Sequence, residues 1–501
     1  MKLAILLAAS AAFVLAALRW LRVAQREHYV PGSVIDFFFR WWTCRWQNVA
    51  GILVAAGAAI ASLFFLPAGF VTAAVMAAGP LGLGIRGKTS PLRWTSRLKR
   101  LAVITAGLFA LGVVPSVATP QVVALMALLS AGYVTVAAFL AAPVERRLSE
   151  GFVRKARERL GQVSPTVVAI TGSYGKTTTK EYVRHLVSGT MSVVATPASF
   201  NNRLGLARAI NDHLTPGTDV FVAEMGTYGP GEISEMTSWV KPGVSVITAL
   251  GPVHLERFRS LERIAHAKAE IVDGARAVVI NGDEPLIDDA VAKVAINARV
   301  IRCSRTDPQA DVQVDERNGS ISVQLGGEPV GVVEANAFPM NVACAVAVAI
   351  EVGVPREVVA RRLPDLPTAE HRRQVVTSPR GVFVIDDTYN SNPRGAASAL
   401  ELLARLGRDG SRRVVVTPGM VELGAQQVPE NRAFAERAAR EATDVLVIGR
   451  TNRRALLAGC DGGPANVAVM DTREQAVSWV RNHLGPGDTV LYENDLPDHY
   501  P

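Results

Sequence analysis

Cysteine is scarce in this chain. Cys44, Cys303, Cys344 and Cys460 lie far apart, form no CxxC pair and join no His/Cys cluster. That spacing argues against a zinc site or a disulfide framework and for free thiols in a reducing compartment. GxSxG, HExxH and Cys-His constellations are also missing, so hydrolase and metalloprotease chemistry has no carrier. Charge is absent from two long stretches. Val49–Ile85 and Leu101–Ala142 hold no Asp, Glu, Lys or Arg. With no ionisable side chain in them, nothing suggests an ion or proton path.

What is present is apolar and basic. The 501 residues are 49% hydrophobic with a net charge of +8, and mean hydropathy is +0.21. The basic residues form no single stripe, so no nucleic-acid partner is expected. Much of their excess lies between apolar stretches near the N-terminus, which points to membrane topology. Leu3–Leu18 is apolar and is followed by Arg19 and Arg22. Its composition also fits a signal peptide, although further apolar stretches follow. A span needs about 20 residues. Val49–Ile85 therefore reads as two spans turning at Pro67-Ala68-Gly69, and Leu101–Ala142 as two more, broken near Pro115–Pro120. The expectation is a transmembrane region of about five helices over 1–144. Basic loops (Arg19 to Arg45, and Arg86 to Arg100) face the cytoplasm by the charge rule. This predicts a multi-pass protein of the inner (cytoplasmic) membrane, with the N-terminus outside, the catalytic domains cytoplasmic and the lipid bilayer as a partner. Residues 145–164 read as a basic juxtamembrane linker, either lying on anionic headgroups or solvated.

Thr166–Glu181, TVVAITGSYGKTTTKE, carries the chemistry. A β-branched run ends in the turn Gly172-Ser173-Tyr174-Gly175. Lys176, Thr177 and Thr178 follow at the start of a helix. Strand, glycine loop, lysine, hydroxyl and helix form a phosphate-binding loop, in the shorter GxxGKT form because Thr171 stands where the longer pattern has glycine. Loop amides can close on phosphate oxygens, Lys176 can reach the terminal phosphates, and the Thr177 hydroxyl can bind Mg²⁺.

Beyond the loop, short apolar runs alternate with helical patterns. Ser192–Ala195, Asp219–Glu224, Val244–Thr248 and Ala277–Ile280 read as strands of a parallel, doubly wound sheet. Ligands of such sheets sit beyond the strands' carboxyl ends. Glu224, His254, Asn281 and Asp283 fall there. A strand-end glutamate near a phosphate loop commonly holds Mg²⁺. A lone histidine such as His254 is more often structural, and Lys268 reads as an exposed helix lysine. Cys303–Asn336 reads as polar and irregular, with short β structure. Asn341–Val352 is an apolar helix, and Leu363–Ala369 resembles a hinge. A second α/β pattern follows, with strands at Val382–Ile385, Arg413–Val416, Asp444–Ile448, Asn466–Met470 and Thr489–Leu491.

Four motifs recur in order: ITGSYGKTTTKE, SFNNRLG at Ser199–Gly205, VAEMGTYGPGEI at Val222–Ile233, and HLERFRSLERIAHAKAEI at His254–Ile271. Together they resemble the Mur ligases, ATP-dependent amide-forming enzymes of peptidoglycan synthesis. VIDDTYNSNP at Val384–Pro393 resembles the branch that adds D-Ala-D-Ala to the UDP-MurNAc-tripeptide. The resemblance covers Pro165 to the C-terminus. It implies a central P-loop ATPase-like parallel-sheet domain (165–368) and a C-terminal Rossmann-like α/β domain (369–501) after the transmembrane helical region.

The resemblance also implies site roles. Gly172, Ser173, Gly175, Lys176, Thr177 and Thr178 hold the ATP phosphates, and Asn281 and Asn341 lie near adenine. Arg372 and Asp387 bring the last domain onto the nucleotide. Thr177 and Glu224 hold one Mg²⁺. His254 and a carbamylated Lys268 help to place a second. Lys176, His254 and Lys268 are the catalytic candidates, and Asn201, Asn202, Tyr389, Asn390 and Asn392 the substrate-binding ones. The implied partners are a cell-wall precursor or other carboxylate acceptor and an amine donor. Two departures bear on acceptor recognition. The family's soluble UDP-sugar domain is replaced at the N-terminus, and Glu493-Asn494-Asp495-Leu496-Pro497 stands where a KGS-like turn is expected. A ligase for another acceptor, such as a lipid-linked intermediate or a polyglutamate-like polymer, stays open. An ATP-driven transporter or switch is the rival of a different class.

Overall fold

The structure, a computed structural model, describes residues 1–30, 32–87, 90–197, 200–253, 255–294, 297–317, 320–334, 337–367, 374–388, 391–407, 410–496 and 498–501, and of residues 256 and 334 the backbone alone. Two sheets organise the second two thirds. The first runs through β1 (Thr166–Thr171), β2 (Val193–Ala195), β3 (Val220–Glu224), β4 (Val244–Ile247), β5 (Ala277–Asn281), β6 (Arg299–Ser304), β7 (Val312–Arg317), β8 (Ser320–Leu325) and β9 (Glu328–Glu334). Their spatial order is β2-β3-β1-β4-β5-β6-β7-β8-β9. β1 to β7 pair in parallel, and β8 and β9 add antiparallel hairpins.

Strand β1 shows why the sheet is two-sided. Val168 and Ile170 pack with Val183, Leu186 and Val346 on one face. Val167 and Ala169 pack with Leu206, Ile210 and Phe221 on the other. A continuous β-branched run is what a parallel strand buried on both faces requires. The helix Pro339–Glu351 crosses the first face, with Val342 to Ala349 no more than 2% exposed.

Strands β7–β9 are the short β structure expected in 303–336, and they are more regular than that polar stretch suggests. Val312 and Val314 alternate inward and meet Ile321 and Val323 in the same core. Gly326 and Gly327, both at positive φ, form the β8–β9 turn. The signal was a period of two in a polar background, easily taken for loop.

The second sheet contains β10 (Gln374–Thr377), β11 (Phe383–Asp387), β12 (Arg413–Thr417), β13 (Asp444–Ile448), β14 (Asn466–Met470) and β15 (Thr489–Glu493), ordered β10-β11-β15-β12-β13-β14. All pairs are parallel except β10–β11. The α/β fold is as expected from the alternating pattern.

The first third departs from expectation. Among the described residues one helix, Lys2–Arg26, is long and apolar enough to cross a membrane. A second counts only if Gln121–Leu128 and Ser130–Val163, bent by 68°, are joined. Val49–Ile85 instead forms helices of 16 and 10 residues, Trp46–Ala61 and Gly69–Ala78. At 1.5 Å per residue these measure about 24 and 15 Å, short of a hydrocarbon core of about 30 Å. The five-span, multi-pass inner-membrane reading, its outside N-terminus and its bilayer partner are therefore corrected. The physical reason is that the helices are short and broken, and that their inner faces bury one another. Phe13, Trp20, Trp41, Trp42, Met76 and Val134 share one core. Arg19 lies inside the bundle and donates to the carbonyls of Ala77 at 2.6 Å and Leu83 at 3.2 Å. The outer faces stay apolar, with Leu53, Phe64 and Phe65 exposed.

Residues 145–164 form no separate linker. One helix, Ser130–Val163, runs through that boundary. Its Val153, Ala156 and Leu160 enter the core beneath the first sheet, and Arg159 Nε donates to Leu214 O at 2.6 Å. The basic side chains are the outer face of a packed helix.

Candidate active site

The phosphate loop is positioned by β1 and by the helix Lys176–Val187 that follows it. Gly175 caps that helix at φ 79°, and a Cβ there would strike Asn341. At Gly172, φ 155°, a Cβ would strike Thr248. Both glycines are thus required by backbone conformation and by close approach. Lys176 is half-buried, and its Nζ donates to Gly172 O at 2.7 Å and Ser173 O at 3.4 Å. The Ser173 hydroxyl donates to Gly251 O at 3.1 Å, tying the loop to β4's end.

Glu224 closes β3 beside this loop and is 1% exposed. Its Oε2 accepts the Thr177 hydroxyl at 3.0 Å and Lys180 Nζ at 3.3 Å. Its Oε1 accepts Asn201 Nδ2 at 3.1 Å. Lys180, fully buried, is the partner sequence reasoning missed. Its signal was the i+4 spacing from Lys176, which places it inward on the same helix.

Lys268 is buried, not an exposed helix lysine. It lies on the helix Leu261–Ala269 and lines a small cavity with Gly172, Lys176, Asn201 and Tyr228. Burial, and then the nearby Lys176 ammonium, push its pKa well below the ordinary lysine value. Asn202 acts locally. Its side chain accepts Gly205 N at 2.9 Å and caps the helix Arg203–His213. His254, Arg372, Tyr389 and Asn390 lie outside the described residues. Among the described residues, no three His, Cys, Asp or Glu side chains gather as a metal cluster.

A cavity of about 380 Å³ opens between the two sheets. The first sheet's side supplies Gly175, Thr178, Asn281 and Asn341, and the second's supplies Asp387, Asn392 and Arg394. Asn392 also caps the helix Pro393–Leu406 by accepting Gly395 N at 2.8 Å. Arg394 pairs with Glu284 across the gap. Tyr174 faces the same cavity, its hydroxyl buried without a partner among the described residues, and burial raises its pKa.

Glu493 ends β15 fully buried. It accepts the Thr417 hydroxyl at 2.6 Å and the Ser391 hydroxyl. Burial raises its pKa from 4.5 to about 8; the Thr417 bond opposes this and Asp387 adds to it. Above pH 4.5 the unfolded chain has lost a proton that the folded domain keeps. Stability from this group is therefore greatest below that pH and declines as pH rises toward 8. The unfolding midpoint of the C-terminal domain should drop as pH rises from about 5 to about 8, and Glu493→Gln should flatten the profile. A profile that Glu493→Gln leaves unchanged would refute the assignment.

A phosphate loop on one sheet facing the strand ends of another across a cavity is the arrangement of an ATP-using enzyme that works between two domains. Comparison with known proteins narrows it. The Mur ligase middle domain matches residues 170–347, and the Mur ligase glutamate ligase domain matches 371–492. The UDP-N-acetylmuramoyl-tripeptide--D-alanyl-D-alanine ligase of Mycobacterium tuberculosis is 34% identical over 363 residues, 65% of this chain and 69% of that one. The MurF ligase of Thermotoga maritima in complex with ADP superposes with a TM-score of 0.60 at 25% identity, over 69% of this chain and 80% of that one. A structure of the UDP-N-acetylmuramoylalanyl-D-glutamyl-2,6-diaminopimelate--D-alanyl-D-alanyl ligase from Acinetobacter baumannii matches with a TM-score of 0.58 at 23% identity, over 70% and 77%. The chain belongs to the Mur ligase family and is an ATP-dependent, ADP-forming ligase.

Proposed function

We propose that this ligase joins D-alanyl-D-alanine to a UDP-N-acetylmuramoyl-tripeptide. The observation that carries the reading is the 34% identity over 363 residues to the D-alanyl-D-alanine ligase of Mycobacterium tuberculosis, and the cavity shared by the phosphate loop and by Asp387 and Asn392 of the second sheet supports it. The loop amides and Lys176 bind the ATP phosphates, while Asn281 and Asn341 border the base. The acceptor carboxylate attacks the γ-phosphorus, ADP leaves, and an acyl phosphate forms. The incoming amine then attacks the acyl carbon, loses a proton, and expels phosphate. Phosphoryl transfer of this kind depends on positioning and charge neutralisation.

The oxygen pair Thr177 Oγ1 and Glu224, 3.0 Å apart, suits a hard cation such as Mg²⁺. When bound, the metal neutralises phosphate charge. Lys268, buried at the same cavity, is the residue for carbamylation: its neutral amine adds to CO₂, forms an N–C bond and releases a proton. The product is carboxylate-like and, with His254, suits a second Mg²⁺. Asn201 holds Glu224 in place; Tyr389 and Asn390 are assigned to the substrate by resemblance alone, as Arg372 is to the nucleotide.

The test is ADP release. It should require both UDP-N-acetylmuramoyl-tripeptide and D-alanyl-D-alanine, and Lys268→Ala should abolish it with partial rescue by a short carboxylate. Turnover of ATP without any amine and acid pair would sink the ligase reading; full activity of Lys268→Ala would sink the carbamate. A second reading, ligation to another carboxylate acceptor, is favoured by residues 1–169 lying outside both family matches. Activity on other acids without use of the tripeptide would select it.

A further inference from the structure

The last strand in sequence is not the last in space. β15 is inserted between β11 and β12, so residues at its carboxyl end meet both neighbours. Glu493 lies in register with Asp387 on one side, and Tyr492 with Val416 on the other. Here the chain has Glu493-Asn494-Asp495 where a KGS-like turn is expected. Glu493 turns inward and is 0% exposed.

Its two carboxyl oxygens hold two different segments. Oε2 accepts the Thr417 hydroxyl at 2.6 Å, at the end of β12, and Thr417 Oγ1 accepts Gly419 N at 2.9 Å. Oε1 accepts the Ser391 hydroxyl, just before the helix Pro393–Leu406. Asn494 completes the link. Its N–H donates to Asp387 O at 3.1 Å, and its Nδ2 to Gly419 O at 2.6 Å. Asn494 stands at φ 61°, a left-handed position that asparagine tolerates better than most residues.

The second domain's share of the nucleotide cavity depends on this network. Asp387 and Asn392 line that cavity, and so does Arg394, which reaches across to Glu284. Glu493 does not line it. No arginine or lysine pairs with Glu493 among the described residues, and burying a carboxyl without a cation is costly. Ser391 is itself 9% exposed, so the bond between them is shielded from water.

We propose that Glu493 is a positioning residue of the ligase, which through Ser391 fixes the segment that presents Asn392 and Arg394 to the nucleotide cavity. The inference rests on the ligase reading above. Glu493 touches neither nucleotide nor substrate; it removes play from groups that border them. A misplacement of about 1 Å in such groups costs about a hundredfold in rate.

The test measures ADP release with ATP, UDP-N-acetylmuramoyl-tripeptide and D-alanyl-D-alanine, together with amide hydrogen exchange across 386–395. Burial raises the pKa of Glu493 to about 8, so glutamine matches its neutral form at pH 7 in charge and shape. Glu493→Gln should therefore keep kcat within about threefold. Glu493→Ala should lower kcat by about a hundredfold and quicken exchange across 386–395. Ser391→Ala, which cuts only the link to that segment, should lower kcat by about tenfold with little change in unfolding midpoint. Because both act through one bond, the double variant should be no slower than Glu493→Ala alone. A merely structural carboxyl would lower the midpoint and leave the kcat of the folded enzyme unmoved. Should Glu493→Ala fail to fold, Ser391→Ala and Glu493→Gln decide the matter. Unchanged kcat in Ser391→Ala, or multiplying losses in the double variant, overturns the inference and leaves the ligase reading standing. No substrate-dependent ADP release from the unaltered enzyme overturns both.

Discussion

Lys176→Met is expected to lower kcat for ligation by about a thousandfold while the protein stays folded. The lysine donates to carbonyls of its own loop, Gly172 O at 2.7 Å and Ser173 O at 3.4 Å. Those bonds hold the ammonium over the concavity where the loop amides converge. Moving it onto a phosphate exchanges neutral acceptors for charged ones, a stronger interaction in a partly dehydrated site. The gain grows as charge develops during transfer, so the loss should fall mainly on kcat. Methionine keeps the stem's length, and the side chain is half-buried, so thermal stability should change little. Single-turnover ADP formation measures the effect. A kcat within about tenfold of the unaltered enzyme would remove Lys176 from the chemistry.

Asp498→Ala should destabilise the joint between the N-terminal helices and the tail that follows β15 by about 3 kcal/mol. Arg22 is 0% exposed, and its Nη1 meets Asp498 Oδ1 at 2.9 Å. Ser90 N donates to the same carboxylate at 3.1 Å. Burial pulls the arginine's pKa down, and Asp498 pushes it back up. Removing the aspartate strands a buried guanidinium, while removing both partners does not. Arg22→Met combined with Asp498→Ala should therefore recover about half of the loss. The neighbouring tail contacts, Trp41 Nε1 to His499 O at 2.8 Å and His499 to Glu27 at 3.1 Å, make tryptophan fluorescence during urea unfolding a direct reporter. A shift under about 0.5 kcal/mol for Asp498→Ala would show the pair to be energetically idle.

The phosphate loop was legible because its parts are contiguous. Glycines, lysine and hydroxyls within one turn carry their own geometry. The two α/β sheets were legible for a similar reason, since buried parallel strands announce themselves as β-branched runs. Glu224 was named from its place at a strand end beside the loop, and Lys268 as a site residue through resemblance, but their surroundings were not readable. Lys180 shares Glu224 with Thr177, and Lys268 is buried beside Lys176 rather than exposed. Such facts depend on which strands lie side by side.

The apolar stretches at the N-terminus mark the other limit. An uncharged run records that no charge must be solvated there. It does not record what covers the run, and here much of the cover is neighbouring helices. The tail is a further case. The residues after Glu493 follow no local pattern in the sequence, and the partner of Asp498 stands 476 residues earlier. The strand–loop–helix form of the glycine loop and the order of the α/β elements could be read from the residues alone, because both arise from interactions within a turn or along a strand. The helix lengths of the first third, the buried setting of Lys268 and the contacts of the C-terminal tail came from the folded chain. Those depend on contacts between distant residues, for which a one-dimensional pattern holds no register.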